Sequence, residues 1–256
     1  MSEKQGRWAG RNSDKDAVRG AVWDALDEGG MAMGPTWSHI PNFIGADMAA
    51  WRLAQTDAWK RAKVVKCNPD PPQIPVRLRA LYEGKMLYAP VPYLTKDFPY
   101  LRIDPARLKE KGVSFELAAT SEGYMMHGER IGFEEVEPIG FAVVGSVAVA
   151  RGGGRTGKGA GFADLETGIF RELGIIGPDT PMATTVHSSQ LVTDDKVFMM
   201  AHDSPLDFIA TEAELIVTGN TAPRPKGVAW DFVQDDQFEQ IPFLRALRQR
   251  MEGSAQ

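Results

Sequence analysis

Arg151-Gly-Gly-Gly-Arg155-Thr-Gly157-Lys158-Gly159-Ala-Gly161-Phe162-Ala-Asp164 is the stretch on which the fold turns. It follows the apolar runs Phe141-Ala-Val-Val144 and Val147-Ala-Val149, and it opens the helical pattern of residues 162–173, which Gly174 ends. A buried strand, a glycine loop and a helix start, in that order, put a ligand site at the carboxyl end of a strand in an open α/β sheet. Glycines let backbone N–H groups approach phosphate oxygens, and the helix N-terminus adds partial positive charge. Arg155 and Lys158 supply full charges, and Asp164 is placed to hold Mg2+ directly or through water. On spacing alone, a solvated hairpin loop fits as well as a phosphate loop. Two well-known loops are excluded. Gly152 to Gly157-Lys158 has the spacing of a Walker A loop but Gly159 stands where it needs Ser or Thr, while the glycines next to the helix start, Gly157, Gly159 and Gly161, give G-x-G-x-G rather than the dinucleotide spacing.

Working outward, residues 1–13 read as a loose polar tail. A helix capped by Ser13 or Asp14 runs to Glu28, with Val18, Val22, Trp23 and Leu26 as its apolar stripe and Gly29-Gly30 as its stop. Lys15 and Arg19 share one face of it, which by spacing alone is a solvated flank. A second helix is expected over residues 46–60, a strand at 63–67, a break at Asn68-Pro-Asp-Pro-Pro72, a helix over 74–83 and a strand at 85–90. Strands follow within 139–150, 182–186, 206–210 and 214–217, and a C-terminal helix within 230–251. Short apolar strands alternating with helices predict an α/β fold: a three-layer, Rossmann-like, largely parallel sheet with helices on both faces, as a single domain over residues 14–256.

Composition narrows the function. The chain has 256 residues, 43% hydrophobic and 25% charged, with a formal net charge of −5, which does not favour nucleic acid as a partner. Local charge, not the total, governs binding of small anions. The single cysteine, Cys67, follows Val64-Val65 and reads as a strand residue, so no disulfide or cysteine–zinc cluster is available. The start of the chain has no apolar segment typical of a signal peptide, and no apolar run approaches the roughly 20 residues needed to span a bilayer. A cytoplasmic protein is expected, with no membrane partner, as a monomer or weak homodimer. His39, His127, His187 and His202 lack H-x-x-x-H spacing, and Gly145-Ser146-Val lacks the hydrolase elbow. His187, beside Ser188 and Ser189, reads as a hydrogen-bonded structural histidine. Among the aromatics, Phe162 is the one placed to stack on a ligand, because it immediately follows the loop.

Arg155-Thr-Gly-Lys-Gly-Ala-Gly-Phe-Ala-Asp164 resembles the R-x-G-x-G-x-G-[YF]-Y-D pattern of the 5-formyltetrahydrofolate cyclo-ligase family. Lys15-Asp-Ala-Val-Arg19 resembles that family's basic pair on its first helix, and Ala201-His-Asp-Ser-Pro-Leu-Asp-Phe-Ile-Ala-Thr-Glu212 its late H-D segment. The resemblance implies ATP-dependent cyclisation of the folate 5-formyltetrahydrofolate to 5,10-methenyltetrahydrofolate. It implies that Lys15, Arg19, Gly157, Gly159, Gly161, Phe162 and Asp164 bind the nucleotide, that Asp164 holds Mg2+, and that Arg155 and Lys158 neutralise charge in the reaction. Ala163 and Leu165 depart from the family's Tyr-Asp-Arg. Asp164-Leu-Glu166, with His39-Ile-Pro-Asn-Phe43, Val65-Lys-Cys-Asn-Pro-Asp70 and Thr184-Thr-Val-His187, resembles the divergent methenyltetrahydrofolate synthetase domain-containing branch. The departures keep two alternatives in view: a changed reaction on a folate or other heterocycle, with or without ATP, and a non-catalytic nucleotide- or folate-binding protein.

Overall fold

The computed structural model describes residues 4–94 and 97–254. Helix α1, Ser13–Glu28, begins where the Asn12 side chain accepts a hydrogen bond from the Lys15 amide. The helix expected over 46–60 is two, α2 (Ala46–Ala54) and α3 (Asp57–Arg61), because the Thr56 hydroxyl caps a fresh start by accepting from Trp59 N–H. Strand β1 (Val64–Cys67), helix α4 (Ile74–Tyr82) and strand β2 (Met86–Pro90) fall where the residue pattern puts them. The next segment, unread in the sequence, supplies β3 (Tyr100–Ile103), α5 (Pro105–Glu110), α6 (Phe115–Ala118), α7 (Ser121–His127) and β4 (Glu129–Ile131).

The run at 139–150 divides at Gly145-Ser146 into β5 (Phe141–Val143) and β6 (Ala148–Ala150), which lie in different sheets. Then come β7 (Arg155–Thr156), α8 (Phe162–Glu172), β8 (Met182–Thr185), β9 (Leu191–Val192), β10 (Phe208–Ala210) and β11 (Leu215–Val217). The expected C-terminal helix is α9 (Asp235–Gln240) followed by α10 (Pro242–Ser254). Pro242 forces the break, since the residue before a proline is driven out of helical conformation; Ile241 is extended.

The main sheet has eight strands in the order β11-β10-β8-β5-β1-β2-β3-β4. Its centre, β10-β8-β5-β1-β2, is parallel throughout, and β3, β4 and β11 add antiparallel edges. Helices cover both faces, as expected. One face packs Leu53, Trp59, Leu81 and Phe115 from α2, α3, α4 and α6; the other packs Ile169, Phe170, Leu244 and Leu247 from α8 and α10. A smaller sheet, β7-β6-β9, sits under α1 through Val22, Trp23, Leu26 and Val147.

Counting only the parallel strands along the chain, their order in space is second, first, third, fourth, fifth. The sheet therefore reverses its winding between β1 and β5, and a crevice opens at their carboxyl ends. Among the described residues, no helix is long and apolar enough to cross a membrane.

Candidate functional site

The crevice is a cleft of about 400 Å³ at that reversal point. Its walls are the start of α1, the segment after β1, the loop from β7 into α8, and residues from the end of β2 and from the 227–237 region. Every candidate binding or catalytic residue from the sequence lies along it: Lys15, Arg19, Arg155, Gly157, Lys158, Gly159, Gly161, Phe162 and Asp164. Lys15 and Arg19 are almost entirely buried, so the solvated-flank alternative for that helix face does not hold.

The glycine stretch does two jobs. Its first part is a hairpin turn between β6 and β7, with Gly153 at φ +93°. The second part wraps the mouth of the cleft and delivers the chain into α8, with Gly161 as N-cap at φ +76°. Gly159 sits at φ +108°, and a Cβ there would lie 3.2 Å from Trp8 Cβ and 3.5 Å from Arg19 Cζ. Gly157 has an ordinary φ, and a Cβ there would meet only Arg155 Nη1, at 3.7 Å. The α8 N-terminus and the loop backbone thus border the same space.

Each basic side chain of the cleft is matched to a carboxylate. Arg155 Nη2 is 2.7 Å from Asp164 Oδ1, Lys158 Nζ is 3.1 Å from Asp70 Oδ1, and Arg19 Nη1 is 2.5 Å from Asp16 Oδ1. Lys15 pairs with Asp203. Arg19 Nε also donates to Gly157 O at 2.6 Å, tying α1 to the loop. Burial pushes the Asp164 carboxyl pKa up, but Arg155 and the Ser204 amide outweigh it and hold it below its usual 3.8. Burial lowers the Arg19 guanidinium below its usual value, against the opposing pull of Asp16. Asp164 is therefore not a bare metal ligand: one oxygen is committed to Arg155 and Ser204 N–H. Arg155 keeps one donor in reserve, because its Nε–H is buried with no acceptor.

The polar segment ahead of α1 reads as a tail from its composition but packs on the site. Arg11 Nη1 donates to Ala160 O at 2.9 Å, Arg11 Nη2 is 2.6 Å from Asp236, and Arg7 N donates to Ser38 Oγ at 2.8 Å. Trp8 fills the space beside Gly159 and meets Tyr93 at 6.3 Å between ring centroids, and Tyr93 meets Phe162 edge-on at 5.4 Å. Tyr93 holds φ +62° without being glycine, backbone strain of a kind that gathers at functional sites.

The sequence patterns did not single out Asp203, Asp70 or Arg11 as site residues. Asp203 was within reach, since it follows His202 in the late matched segment, and Asp70 lies in the segment matched to the divergent branch. Arg11 carries no local signal. His187 is the satisfied histidine expected: its Nδ1 accepts from Ser189 N–H at 3.1 Å, and it does not line the cleft. Cys67 is fully buried, and burial pushes its thiol up to about 11.

A family model described as the 5-formyltetrahydrofolate cyclo-ligase family matches residues 11–212. The chain belongs to that family. This cyclo-ligase family member is similar to the methenyltetrahydrofolate synthase domain-containing protein of Bos taurus, 35% identical over 240 residues, covering 93% of this chain and 63% of the relative. The Homo sapiens protein of that name is 34% identical over 238 residues, covering 92% of this chain and 62% of its own length. The chain thus spans about three-fifths of the curated relatives it matches. Its fold is like the solution NMR structure of Aquifex aeolicus 5,10-methenyltetrahydrofolate synthetase, with TM-score 0.50 and 20% identity, covering 83% of this chain and 95% of that one. The cyclo-ligase match begins at Arg11, within the segment that reads as a tail and packs on the loop.

Proposed function

We propose that this family member binds Mg-ATP in the cleft and cyclises 5-formyltetrahydrofolate to 5,10-methenyltetrahydrofolate, releasing ADP and phosphate. The observation that carries the phosphate half is the buried, acceptor-less Nε–H of Arg155, a residue of the cleft bordered by a glycine loop and a helix N-terminus. A buried donor without a partner costs about 1–3 kcal/mol, and a phosphate oxygen would satisfy it.

No group of three or more His, Cys, Asp or Glu side chains able to hold a metal occurs among the described residues. Mg2+ suits such a site only if it arrives with the nucleotide, held by phosphate oxygens, water and one carboxylate. Asp164 is that carboxylate, through the oxygen not engaged with Arg155. The bound ion would spread the charge of the transferring phosphoryl group.

The chemistry asks little covalent work of the protein. A formyl oxygen is a poor leaving group; a phosphoryl group placed on it allows N10 to attack the formyl carbon, close the ring and expel phosphate. Arg155 and Lys158 align the formyl oxygen with the γ-phosphate and neutralise developing charge, while Lys15 and Arg19 hold the phosphate chain.

One observation favours a second reading, a reaction without ATP. Each basic group of the cleft already has a carboxylate partner, and Leu165 supplies no cation beside Asp164. The test incubates purified protein with 5-formyltetrahydrofolate, with and without Mg-ATP, and follows methenyl absorbance and ADP together. Product with stoichiometric ADP supports the cyclo-ligase reaction. Product without ADP supports the second reading, and neither product nor ADP refutes both.

A further inference from the structure

Below the phosphate loop, the inner wall of the cleft carries a buried ionic network that the reaction as derived does not use. Lys66 on β1 is ion-paired to Glu166 on α8 and donates to Asn68 Oδ1 at 2.5 Å. Tyr100, at the start of β3, donates its hydroxyl to the other Glu166 oxygen. Lys66, Glu166 and Tyr100 are 1%, 3% and 0% exposed. Burial, then the adjoining Glu166 carboxylate, pushes the Tyr100 phenol well above its usual value, so it stays protonated and remains a donor.

A buried ion pair is a poor way to gain stability, since well-packed apolar residues of equal volume do as well or better. What sets this one apart is where it opens. Of its members, Glu166 and Asn68 line the cleft, while Lys66 and Tyr100 stand behind them. Lys66 cancels the carboxylate's charge, and a carboxylate with one donor on each oxygen keeps a lone pair on each for a further donor. The surrounding wall is apolar. Leu165 adjoins Glu166 in sequence, Pro90 pairs with Tyr100 across β2 and β3, and Val91 follows. Glu166 lies five residues beyond Gly161, roughly 7 Å deeper along the helix axis at about 1.5 Å per residue. That is close to the span of a fused two-ring heterocycle.

We propose that Glu166 is the specificity-determining residue of the cleft, accepting the paired N–H donors on the far edge of a 2-amino-4-oxopteridine-type ring while the opposite edge faces Arg155 and Lys158. This rests on the folate reading above and adds the group that reads the heterocycle. Lys66 and Tyr100 are positioning residues that hold the carboxylate in place, one on each oxygen.

The experiment uses the full chain and two probes, pterin (2-amino-4-oxo) and lumazine (2,4-dioxo), which differ in a donor against an acceptor at one position. The wild type is expected to bind pterin at least tenfold more tightly than lumazine by calorimetry. Glu166→Gln replaces one acceptor by a donor, which matches lumazine, so the preference should vanish or invert while Mg-ATP affinity stays within twofold. Lys66→Met/Glu166→Gln removes the unpaired buried cation that the single change leaves. It should restore the wild-type Tm and keep the altered preference, which a purely structural role for Glu166 would not produce. A wild type that does not distinguish the probes, or a folded Glu166 variant that keeps the pterin preference, overturns the proposal. Failure of the cyclo-ligase reaction is seen separately, as pterin discrimination without methenyl product or ADP.

Discussion

Gly159→Val puts the phosphate loop to a quantitative test. At φ +108° a side chain is strained whatever space surrounds it, at a cost on the order of 1–3 kcal/mol. Its Cβ would also stand 3.2 Å from Trp8 Cβ and 3.5 Å from Arg19 Cζ, so the loop must move outward by a few tenths of an ångström or change its turn. Either response pulls backbone N–H groups and the Arg19 anchor off the ligand. Charge-assisted hydrogen bonds are worth about 1.5–3 kcal/mol each, so losing one or two lowers nucleotide affinity by roughly tenfold to a few hundredfold or more, at about 1.4 kcal/mol per decade. The control is Gly157→Ala, where φ is ordinary and the nearest atom is 3.7 Å away, so Tm should not change. Calorimetric titration with Mg-ATP, beside thermal melts, reads both effects. A folded Gly159→Val protein that binds Mg-ATP within twofold of wild type would refute the reasoning and remove the loop from the site.

Lys15→Ala and Arg19→Ala should each weaken Mg-ATP binding about tenfold or more in the same titration, one charge-assisted contact being lost in each; changes within twofold for both would return them to a packing role. Asp164→Asn should abolish the Mg2+ dependence of nucleotide binding and also lower Tm, because removing one partner of a buried pair commonly costs about 3–5 kcal/mol. The carboxyl is held below 3.8 in the fold, so its stabilisation is present above about pH 4 and is lost as pH falls further; acid titration of stability should be steeper in the wild type than in Asp164→Asn. Cys67 has the opposite sign: with its thiol raised from 9.0 to about 11, its contribution is present below pH 9 and is lost as pH rises through 11. Iodoacetamide should accordingly modify Cys67 at pH 8 only in denaturant; rapid labelling of the native protein would contradict its burial.

What the sequence made legible were features written in contiguous residues. The strand, glycine loop and helix around Arg155–Asp164 are one local pattern, and so are α1 with its Lys15 and Arg19 and the strands that became β1, β2 and β8. Strands β3 and β4 escaped because Tyr100–Ile103 and Glu129–Ile131 are short and carry charges among their apolar residues. The carboxylate partners escaped for a different reason. Asp203 reaches Lys15 across 188 positions and Asp70 reaches Lys158 across 88, separations no periodicity encodes. Arg11 escaped because a polar segment reads the same whether it floats or lies on a cleft. By contrast, the break before α10 was written in Pro242, and Thr56 was there to mark the start of α3.

The matching of Lys15, Arg19, Arg155 and Lys158 with Asp203, Asp16, Asp164 and Asp70 has a kinetic consequence. Seen from a distance greater than a Debye length, four cations and four anions present almost no field, and the chain's net charge of −5 lies behind them. A polyanion approaching this protein is therefore not steered toward the cleft. For the nucleotide proposed above, attraction would begin only at contact, once the carboxylates turned aside and freed their cations. Encounter should be unhurried and gain little from dilution of salt, while dissociation, which must restore every internal pair, carries the affinity.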